Sequence, residues 1–348
     1  MNRSRIVLVS IFFSTAAVAA SPPRNIIFFV GDGMGPAHVT LMRELRGDQF
    51  NVGRMRLAAM HSTASADSAV TDSAAGATAF ASGVKTKNRA LGMDAALTSQ
   101  PTVLEEAEKR GKATGVVTTA KFFDATPAAF LAHAENRSQY DVIVPQMLGS
   151  GAELLAGAGL EVSGKNKVPA IEPLAKEAGY ALVTSKEGLA ADTSPRTLVL
   201  LPTQPLDVDH PDLPLPALTQ WAIDRLKGDP DGFFLVVEHE GIDTSSHEND
   251  SAGLEASLHS FDKAVGIALD FAAAGGDTLV IVTGDHETGG LWLAEAQNKK
   301  LQGKFSLRNH TAVAIPLFAF GPGFDELMGI VENTEVGKAL FRLVQAKP

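Results

Sequence analysis

Five short runs of branched and aromatic residues, separated by patterns typical of helices, limit the folds open to this chain. The runs are Asn25–Val30, Thr114–Thr119, Phe233–Glu238, Thr278–Thr283 and Ile315–Phe320, with weaker examples at Ala181–Thr184 and Thr197–Leu201. Helical spacing over Val103–Arg110 and Leu254–Ala273 ends in both cases at glycine. Such alternation is typical of parallel strands covered on both faces. We therefore predict an α/β fold with a mostly parallel central sheet sandwiched by helices.

The first twenty residues have the pattern of a signal peptide. Arg3 and Arg5 precede the apolar run Ile6–Val18, and small residues close the segment. A membrane anchor is the alternative, but the run is short for a membrane span and contains hydroxyl residues. We expect residues 1–20 to be a signal peptide, residues 21–348 to form a single catalytic domain, and the protein to be periplasmic or secreted.

Composition restricts both the partners and the sources of stability. The chain has 348 residues, of which 45% are hydrophobic, so a large core is available. It has no cysteine, which excludes disulfides. A formal net charge of −10 argues against nucleic acid or an anionic membrane as a main partner. If the substrate is an anion, the positive charge that binds it must be local, from metal ions or a placed arginine.

Acidic, hydroxyl and imidazole side chains lie at or soon after the ends of four predicted strands, which are Asn25–Val30, Thr114–Thr119, Phe233–Glu238 and Thr278–Thr283. In open α/β sheets, ligands bind beyond the carboxyl ends of the strands. Segments far apart in sequence would therefore bring these side chains to one edge of the sheet, as a site for several metal ions requires. In chain order they are Asp32, Asp124, Thr126, Glu238, Asp243, His247, Asp285 and His286.

Two pairs within this set have the spacing of metal ligands. Asp243 and His247 are four residues apart, so one helical turn places both on one face, a common way to hold Zn²⁺. Asp285 and His286 are adjacent, and the glycines that flank them allow the tight turn that lets both side chains point inward. Solvated charges on a loop would explain either pair alone, but the two pairs together favour a metal site.

Ser73 lies where a helix is expected to begin. Asp72 resembles a helix cap, and the first turn that follows offers free N–H groups and a dipole that favour an anion. A serine there is ordinarily a cap, but beside a metal cluster it becomes a candidate nucleophile. The Gly-x-Ser-x-Gly pattern is absent around Ser73, which argues against an α/β-hydrolase.

These motifs together resemble the alkaline phosphatase family, in the same order along the chain and from about Arg24 to Gly323. The segments that carry the resemblance are Gly31–Gly35, Thr71–Ala79, Gly83–Lys85, Asp124–Pro127, Glu238 with Asp243 and His247, and Thr283–Gly290. The resemblance implies a metal-dependent hydrolase of small phosphate monoesters that works through a phosphoserine on Ser73 and releases inorganic phosphate. It also implies a homodimer.

The resemblance assigns three metal ions and one phosphate-binding side chain. Asp243, His247 and His310 would hold one Zn²⁺, and Asp32, Asp285 and His286 a second, which Ser73 completes. A Mg²⁺ would be held by Asp32, Thr126 and Glu238, with Asp124 acting largely through bound water. Arg137 lies thirteen residues after Asp124, as the family's phosphate-binding arginine does, and would bind two phosphoryl oxygens.

One position departs from the family pattern. Thr244 follows Asp243 where other members carry a side chain that tunes phosphate binding and the third metal ion. A neutral Thr244 is expected to leave Asp124 free to order the water around Mg²⁺, and to loosen the binding of product phosphate.

Two other readings stay open. A phosphodiesterase or sulfatase would share the two-zinc framework but generally lack the third site and Arg137, and a non-catalytic binding protein would not need Ser73. Other acidic and histidine residues are not expected to be ligands: Asp207, Asp209, His210, Asp212, His133, His239 and His259.

Overall fold

The computed structural model describes residues 22–202, 212–297 and 299–346. The expected signal peptide, residues 1–20, lies outside the described residues, as do Asp207, Asp209 and His210 of the proline-rich connection. Among the residues that are described, no helix combines the length and apolar character needed to cross a membrane.

Fourteen strands are described, most of them in one large sheet. They are β1 (Asn25–Gly31), β2 (Arg56–Ser62), β3 (Ala113–Lys121), β4 (Leu154–Ala158), β5 (Ala181–Val183), β6 (Thr197–Leu201), β7 (Phe233–His239), β8 (Thr278–Thr283), β9 (Glu287–Thr288), β10 (Trp292–Glu295), β11 (Leu301–Lys304), β12 (His310–Thr311), β13 (Ile315–Phe320) and β14 (Ile330–Glu332).

Eleven α-helices are described between and after these strands. They are α1 (Pro36–Arg46), α2 (Ser73–Ser82), α3 (Val103–Lys109), α4 (Ala125–Ala129), α5 (Tyr140–Gly149), α6 (Ile171–Glu177), α7 (Lys186–Ala191), α8 (Leu215–Leu226), α9 (Gly241–Glu248), α10 (Ser251–Gly275) and α11 (Asn333–Gln345). Three short 3₁₀ turns span Gly47–Gln49, Val52–Arg54 and Leu160–Val162.

The central sheet has ten strands in the order β14-β2-β13-β8-β1-β7-β3-β4-β6-β5. All neighbouring pairs are parallel except the two that β13 makes, with β8 and with β2. Alternate residues of each central strand enter different cores. Ile26 and Phe28 of β1 pack with α2, α3 and α11 on one face, whereas Ile27 and Phe29 pack with α1, α8 and α10 on the other. The predicted α/β fold with helices on both faces is confirmed.

The seven predicted strands are all present, with small shifts at their ends. Three strands of the central sheet, β2, β4 and β14, were not predicted, and for β2 and β4 the reason is visible in their composition. The sequence of β2 is Arg-Leu-Ala-Ala-Met-His-Ser and that of β4 is Leu-Leu-Ala-Gly-Ala. Neither strand contains Val, Ile, Thr, Phe, Tyr or Trp, the residues that favour strands. These two strands form because their neighbours pair with them and cover them, which local preference does not reveal.

Candidate active site

Neighbouring strands deliver the site residues to one edge of the sheet. β8, β1, β7 and β3 lie side by side and parallel, so their carboxyl ends are adjacent. Asp32 follows β1, Glu238 is the penultimate residue of β7, Asp285 follows β8, and Asp124 follows β3. All of the predicted strand-end residues therefore meet at the carboxyl edge.

His310 reaches this edge by a different route. It lies on β12, which pairs with β9 so that His310 is opposite Thr288, two residues after His286. The strand that follows, β13, runs antiparallel to β8, so the beginning of β13 lies at the carboxyl edge of its neighbours. His310 precedes β13 in the sequence, but this antiparallel pairing places it beside residues that follow β1, β7 and β8.

Asp243, His247 and His310 form a first group, here called the outer histidine cluster. The Nε2 atoms of His247 and His310 are 3.0 Å apart, and His247 Nε2 lies 3.2 Å from Asp243 Oδ2. Each imidazole has its Nδ1 within hydrogen-bond distance of a backbone carbonyl, at 2.6 Å from Arg308 O for His247 and 2.9 Å from Thr71 O for His310. These carbonyls fix both rings with Nε2 turned inward.

This arrangement fits a metal ion. A carbonyl oxygen can only accept, so Nδ1 of each ring carries a proton, and Nε2 of a neutral ring is then a lone-pair acceptor. Two acceptors 3.0 Å apart, with a carboxylate beside them, repel one another unless a cation lies between them. The donor set of two imidazoles and one carboxylate is a typical Zn²⁺ site.

Asp32, Asp285 and His286 form a second group, the buried histidine cluster, and all three are at most 1% exposed. His286 Nε2 lies 3.4 Å from Asp32 Oδ1 and 3.3 Å from Asp285 Oδ2. Neither carboxylate oxygen has a hydrogen-bond partner of normal geometry among the described residues. Buried oxygens that converge without hydrogen bonds are typical of metal ligands.

The hydroxyl of Ser73 joins the buried histidine cluster, with its Oγ 3.3 Å from His286 Nε2. Ser73 is the first residue of α2, and Asp72 caps the helix by accepting a hydrogen bond from Ala75 N at 3.0 Å. Gly76 allows this helix to approach, because a Cβ there would lie 3.1 Å from Asp285 Cβ and 3.2 Å from its carbonyl oxygen. The predicted helix start and the small residues beneath the site are therefore both present.

Asp32, Glu238 and Glu240 form a third group, the carboxylate cluster, and Asp32 thus belongs to two groups. Glu238 Oε2 accepts a hydrogen bond from Thr118 Oγ1 at 2.5 Å. Thr126 is buried, and its Oγ1 has no hydrogen-bond partner of normal geometry among the described residues, although Thr126 lies close enough to Glu238 to lower its pKa. An oxygen-only set of this kind suits Mg²⁺.

The buried acids have strongly displaced pKa values in the absence of a cation. Burial raises the pKa of Glu238 to about 8, and burial together with Asp243 raises that of Asp285 to about 7. Burial, followed by repulsion from Asp285 and Glu240, raises the pKa of Asp32. The pKa of His286 is lowered by burial and by His310. These three acids therefore favour their uncharged forms unless positive charge is supplied, and His286 favours its neutral form.

Arg137 lies beside the start of α2. Its Nη2 is 3.0 Å from Asp124 Oδ1 and its Nη1 is 3.6 Å from Asp72 Oδ2, and Asp72 precedes Ser73. Burial alone would lower the pKa of Arg137, but Asp124 and Asp72 keep it raised, so the guanidinium stays charged. A fixed, charged fork in this position has the geometry to bind two oxygens of an anion.

The expectation that Asp124 has no lysine partner is wrong, whereas its role in ordering water around Mg²⁺ stays a prediction. Asp124 Oδ2 lies 3.1 Å from Lys121 Nζ, in addition to the contact with Arg137. Burial would raise the pKa of Asp124, but Lys121 and Arg137 lower it well below its usual range. Lys121 and Asp124 are three residues apart across the turn that ends β3, a pairing that was missed because it depends on the shape of that turn.

Other sequence expectations concern residues at the margin of the site. Thr244 Oγ1 donates a hydrogen bond of 3.3 Å to Glu240 Oε1. His133 lies against Glu105, at 3.1 Å, and His259 against Arg46, at 3.2 Å, rather than in any of the three groups. Glu240 was missed, although its position two residues after Glu238, at the end of a strand run, was a signal that could have identified it.

Comparison with known proteins adds three findings. The sequence model of the family "Alkaline phosphatase" matches residues 23–155 and 152–302. Alkaline phosphatase 4 of Bacillus subtilis is 30% identical, over 92% of this chain and 89% of that protein. The structure of alkaline phosphatase from the Antarctic bacterium TAB5 superimposes with a TM-score of 0.85 at 32% identity, covering 94% of this chain and 100% of that one.

A variant of the TAB5 enzyme was solved with Mg bound in its M3 site, and it superimposes on this chain with a TM-score of 0.84 at 31% identity, covering 94% and 100% of the two chains. The resemblance inferred from the motifs is thus confirmed over most of the chain. The chain belongs to the alkaline phosphatase family, and it is a metal-dependent phosphatase that hydrolyses phosphate monoesters through a phosphoserine intermediate.

Proposed function

We propose that Ser73 is the nucleophile and that Arg137 binds the phosphoryl group. The two histidine clusters would hold two Zn²⁺, and Asp32, Thr126 and Glu238 would hold one Mg²⁺. The observation that carries the proposal is the convergence on His286 Nε2, where Ser73 Oγ and one oxygen each of Asp32 and Asp285 lie within 3.3–3.4 Å. A hydroxyl held among buried metal ligands at a helix start is suited to attack phosphorus.

Donor chemistry supports the assignment of the metals. Imidazole nitrogen suits Zn²⁺, and each histidine cluster supplies it, through His247 and His310 in one case and His286 in the other. Asp32, Glu238 and Thr126 offer oxygen alone, which suits Mg²⁺ with retained waters. Asp124 would act on that site through water, because its own oxygens contact Lys121 and Arg137.

The bound metals would lower the pKa of the attacking hydroxyl and stabilise negative charge on phosphoryl and leaving oxygens. Ser73 loses its proton, a bond forms between its Oγ and phosphorus, and the ester P–O bond breaks, so that the leaving alkoxide departs as the alcohol with a proton that balances the one lost from Ser73. Water then attacks the phosphoserine, the bond from phosphorus to Oγ breaks, and one proton of the water balances the proton that Ser73 regains as phosphate leaves. Arg137 holds two phosphoryl oxygens throughout both displacements.

The direct test is acid quenching of the enzyme with labelled inorganic phosphate, followed by peptide mapping. Label is expected on Ser73 in the parent and to be absent from Ser73→Ala, with kcat reduced on the order of 10³-fold or more. Ser82→Ala is the matched control, since Ser82 is also nearly buried and ends the same helix. Label on a different residue of the parent would overturn the role of Ser73.

The metal assignment is tested by crystals grown with both metals present and diffraction data collected on both sides of the zinc absorption edge. Anomalous peaks are expected at the two histidine clusters and not between Asp32, Thr126 and Glu238. A zinc-sized peak at that third position would contradict the assignment of Mg²⁺.

Export and self-association remain proposals of the same kind. The pattern of residues 1–20 supports export, and N-terminal sequencing of the mature protein should begin at or near residue 21. The family resemblance supports a homodimer. Light scattering should then give twice the mass of the mature chain, and a monomer at micromolar concentration would contradict the proposal.

A further inference from the structure

Glu240 is an acidic residue that the proposed metal assignments leave without a role. One of its carboxylate oxygens lies within 4.8 Å of an oxygen of Asp32 and of Glu238, in the carboxylate cluster. The three carboxylates are drawn together from β1 and β7, whose carboxyl ends are adjacent in the sheet. Placing a third carboxylate close to two others in a partly buried site costs free energy unless the three carboxylates share a cation.

The backbone holds Glu240 firmly in this position. Its N–H donates to Thr119 Oγ1 at 2.9 Å, and its carbonyl accepts from the backbone N–H groups of Asp243 and Thr244 at the start of α9. Its Oε1 accepts a hydrogen bond of 3.3 Å from Thr244 Oγ1, which orients the carboxylate. The side chain is therefore aimed by the turn between β7 and α9 and by Thr244.

Thr126 gives an independent indication of a cation at the same place. It is 1% exposed, and its Oγ1 has no hydrogen-bond partner of normal geometry within the described part of the chain. Glu238 is the group nearest at hand to accept from this hydroxyl, and the lone pairs of the Thr126 oxygen are then left for a bound ion or its water. Thr126 lies next to Glu238, so this oxygen and the carboxylates face one space.

Arg137 is a cationic side chain near Glu240, which is among the groups that raise the pKa of Arg137. Arg137 itself forms ion pairs with Asp124 and Asp72. A cation at the carboxylate cluster and the guanidinium of Arg137 are therefore two positive groups that could share the charge of Glu240.

We propose that Glu240 is an additional ligand of the Mg²⁺ site, bound directly or through one water, and that Thr244 orients it. This inference rests on the proposed function of the carboxylate cluster. Affinity of oxygen-ligand sites for hard divalent cations rises with the number of charged ligands. Glu240 therefore strengthens Mg²⁺ binding in this chain and compensates for water-mediated rather than direct participation by Asp124.

The test is calorimetric titration of Mg²⁺ into enzyme that carries two zinc ions. Glu240→Gln keeps the size of the side chain and an oxygen that can accept from Thr244, and it should raise the Kd for Mg²⁺ by about tenfold or more. Glu240→Asp keeps the charge and should lie between the parent and Glu240→Gln. Glu255→Gln, at an exposed carboxylate on α10, should leave the Kd unchanged.

A second measurement, of thermal stability, does not depend on turnover. Because Glu240 repels Asp32 and Glu238 when no cation is present, metal-free Glu240→Gln should melt at a higher temperature than the metal-free parent. With Mg²⁺ and zinc added, the increase in Tm should be smaller for Glu240→Gln than for the parent. A higher Tm of the metal-free variant together with a smaller increase in Tm on metal binding would not follow if Glu240 only supported the fold.

Thr126→Val separates failure of this inference from failure of the proposed site. If Thr126→Val weakens Mg²⁺ binding and Glu240→Gln leaves it within about twofold, which is near the accuracy of such comparisons, the site stands and the role of Glu240 is wrong. If neither variant affects Mg²⁺ binding, the proposed location of the site is wrong, and this inference with it. A change only in phosphate affinity in Glu240→Gln would assign Glu240 to Arg137 and overturn the proposal.

Discussion

The histidine clusters and the carboxylate cluster share Asp32 but differ in how the chain prepares them. In the outer histidine cluster, backbone carbonyls orient both imidazoles so that two acceptor nitrogens lie 3.0 Å apart. In the carboxylate cluster no imidazole contributes, and two glutamates separated by one residue face Asp32. The first arrangement offers the donor types that suit zinc, whereas the second offers the charged oxygens that suit a hard cation. Loss of a ligand should therefore have unequal effects in the two regions.

Among the metal ligands, the largest expected effect is at His286, which supplies the one imidazole of the buried histidine cluster. His286→Asn should remove one zinc ion per chain and lower kcat on the order of 10³-fold, because Ser73 loses the site that activates it. Zinc content by emission spectroscopy and kcat are the measurements. His259→Asn, at an exposed histidine on α10, is the control. Two zinc ions per chain in His286→Asn would contradict the assignment.

Replacing Arg137 should weaken the binding of phosphate and leave the binding of metal ions intact. Arg137→Ala should lower kcat/KM for a monoester by about 100-fold, since two charge-assisted hydrogen bonds are lost. A diester has one charged oxygen rather than two and should lose less. The measurement is the ratio of kcat/KM for the two substrates, with zinc content as the control for the metal sites. An unchanged ratio would count against this role for Arg137.

The two regions also predict how the metal-free enzyme responds to pH. The folded pKa values of Glu238, about 8, and Asp285, about 7, lie above those of the unfolded chain. Stability from these groups is therefore complete below their unfolded pKa values and is lost as pH rises through 7 to 8.

The Tm of the metal-free protein should accordingly fall between pH 5.5 and pH 9, and Glu238→Gln should reduce that fall. Bound cations replace the protons, so the loaded enzyme should show a smaller fall over the same range. If the metal-free protein were more stable at pH 9 than at pH 5.5, the prediction that burial raises the pKa values of Glu238 and Asp285 would be wrong.

The smallest expected effect is at Thr244. Thr244→Lys should place a cation near Glu240 and strengthen inhibition by phosphate several-fold, because an added positive charge favours a bound anion. Thr244→Met is the control for size without charge. The measurement is the inhibition constant of phosphate at fixed pH and salt, and equal constants for the two variants would contradict a charge effect.

Local patterns were informative wherever the chemistry lay within one segment. Asp243 and His247 share a helical turn, and Asp72 caps the helix that begins at Ser73, so spacing alone predicted both. Lys121 and Glu240 were missed for the opposite reason. Whether Lys121 turns toward Asp124 and whether Glu240 faces Asp32 depends on turns at the ends of β3 and β7, and the residue types do not encode those turns.

The sequence by itself determined the fold class, the carboxyl edge as the site, and the motifs that identify the family. The fold class follows from short-range periodicity. The location of the site follows from the residues directly after each strand, because their position next to the strand end is fixed by the covalent chain. Tertiary structure decided the rest. The antiparallel β13 and the pairing of β12 with β9 bring His310 to the edge. The order of β8, β1 and β7 lets Asp32 belong to two groups at once. Both depend on pairing between distant segments, and that pairing is set by burial of the whole sheet and not by any one stretch of residues.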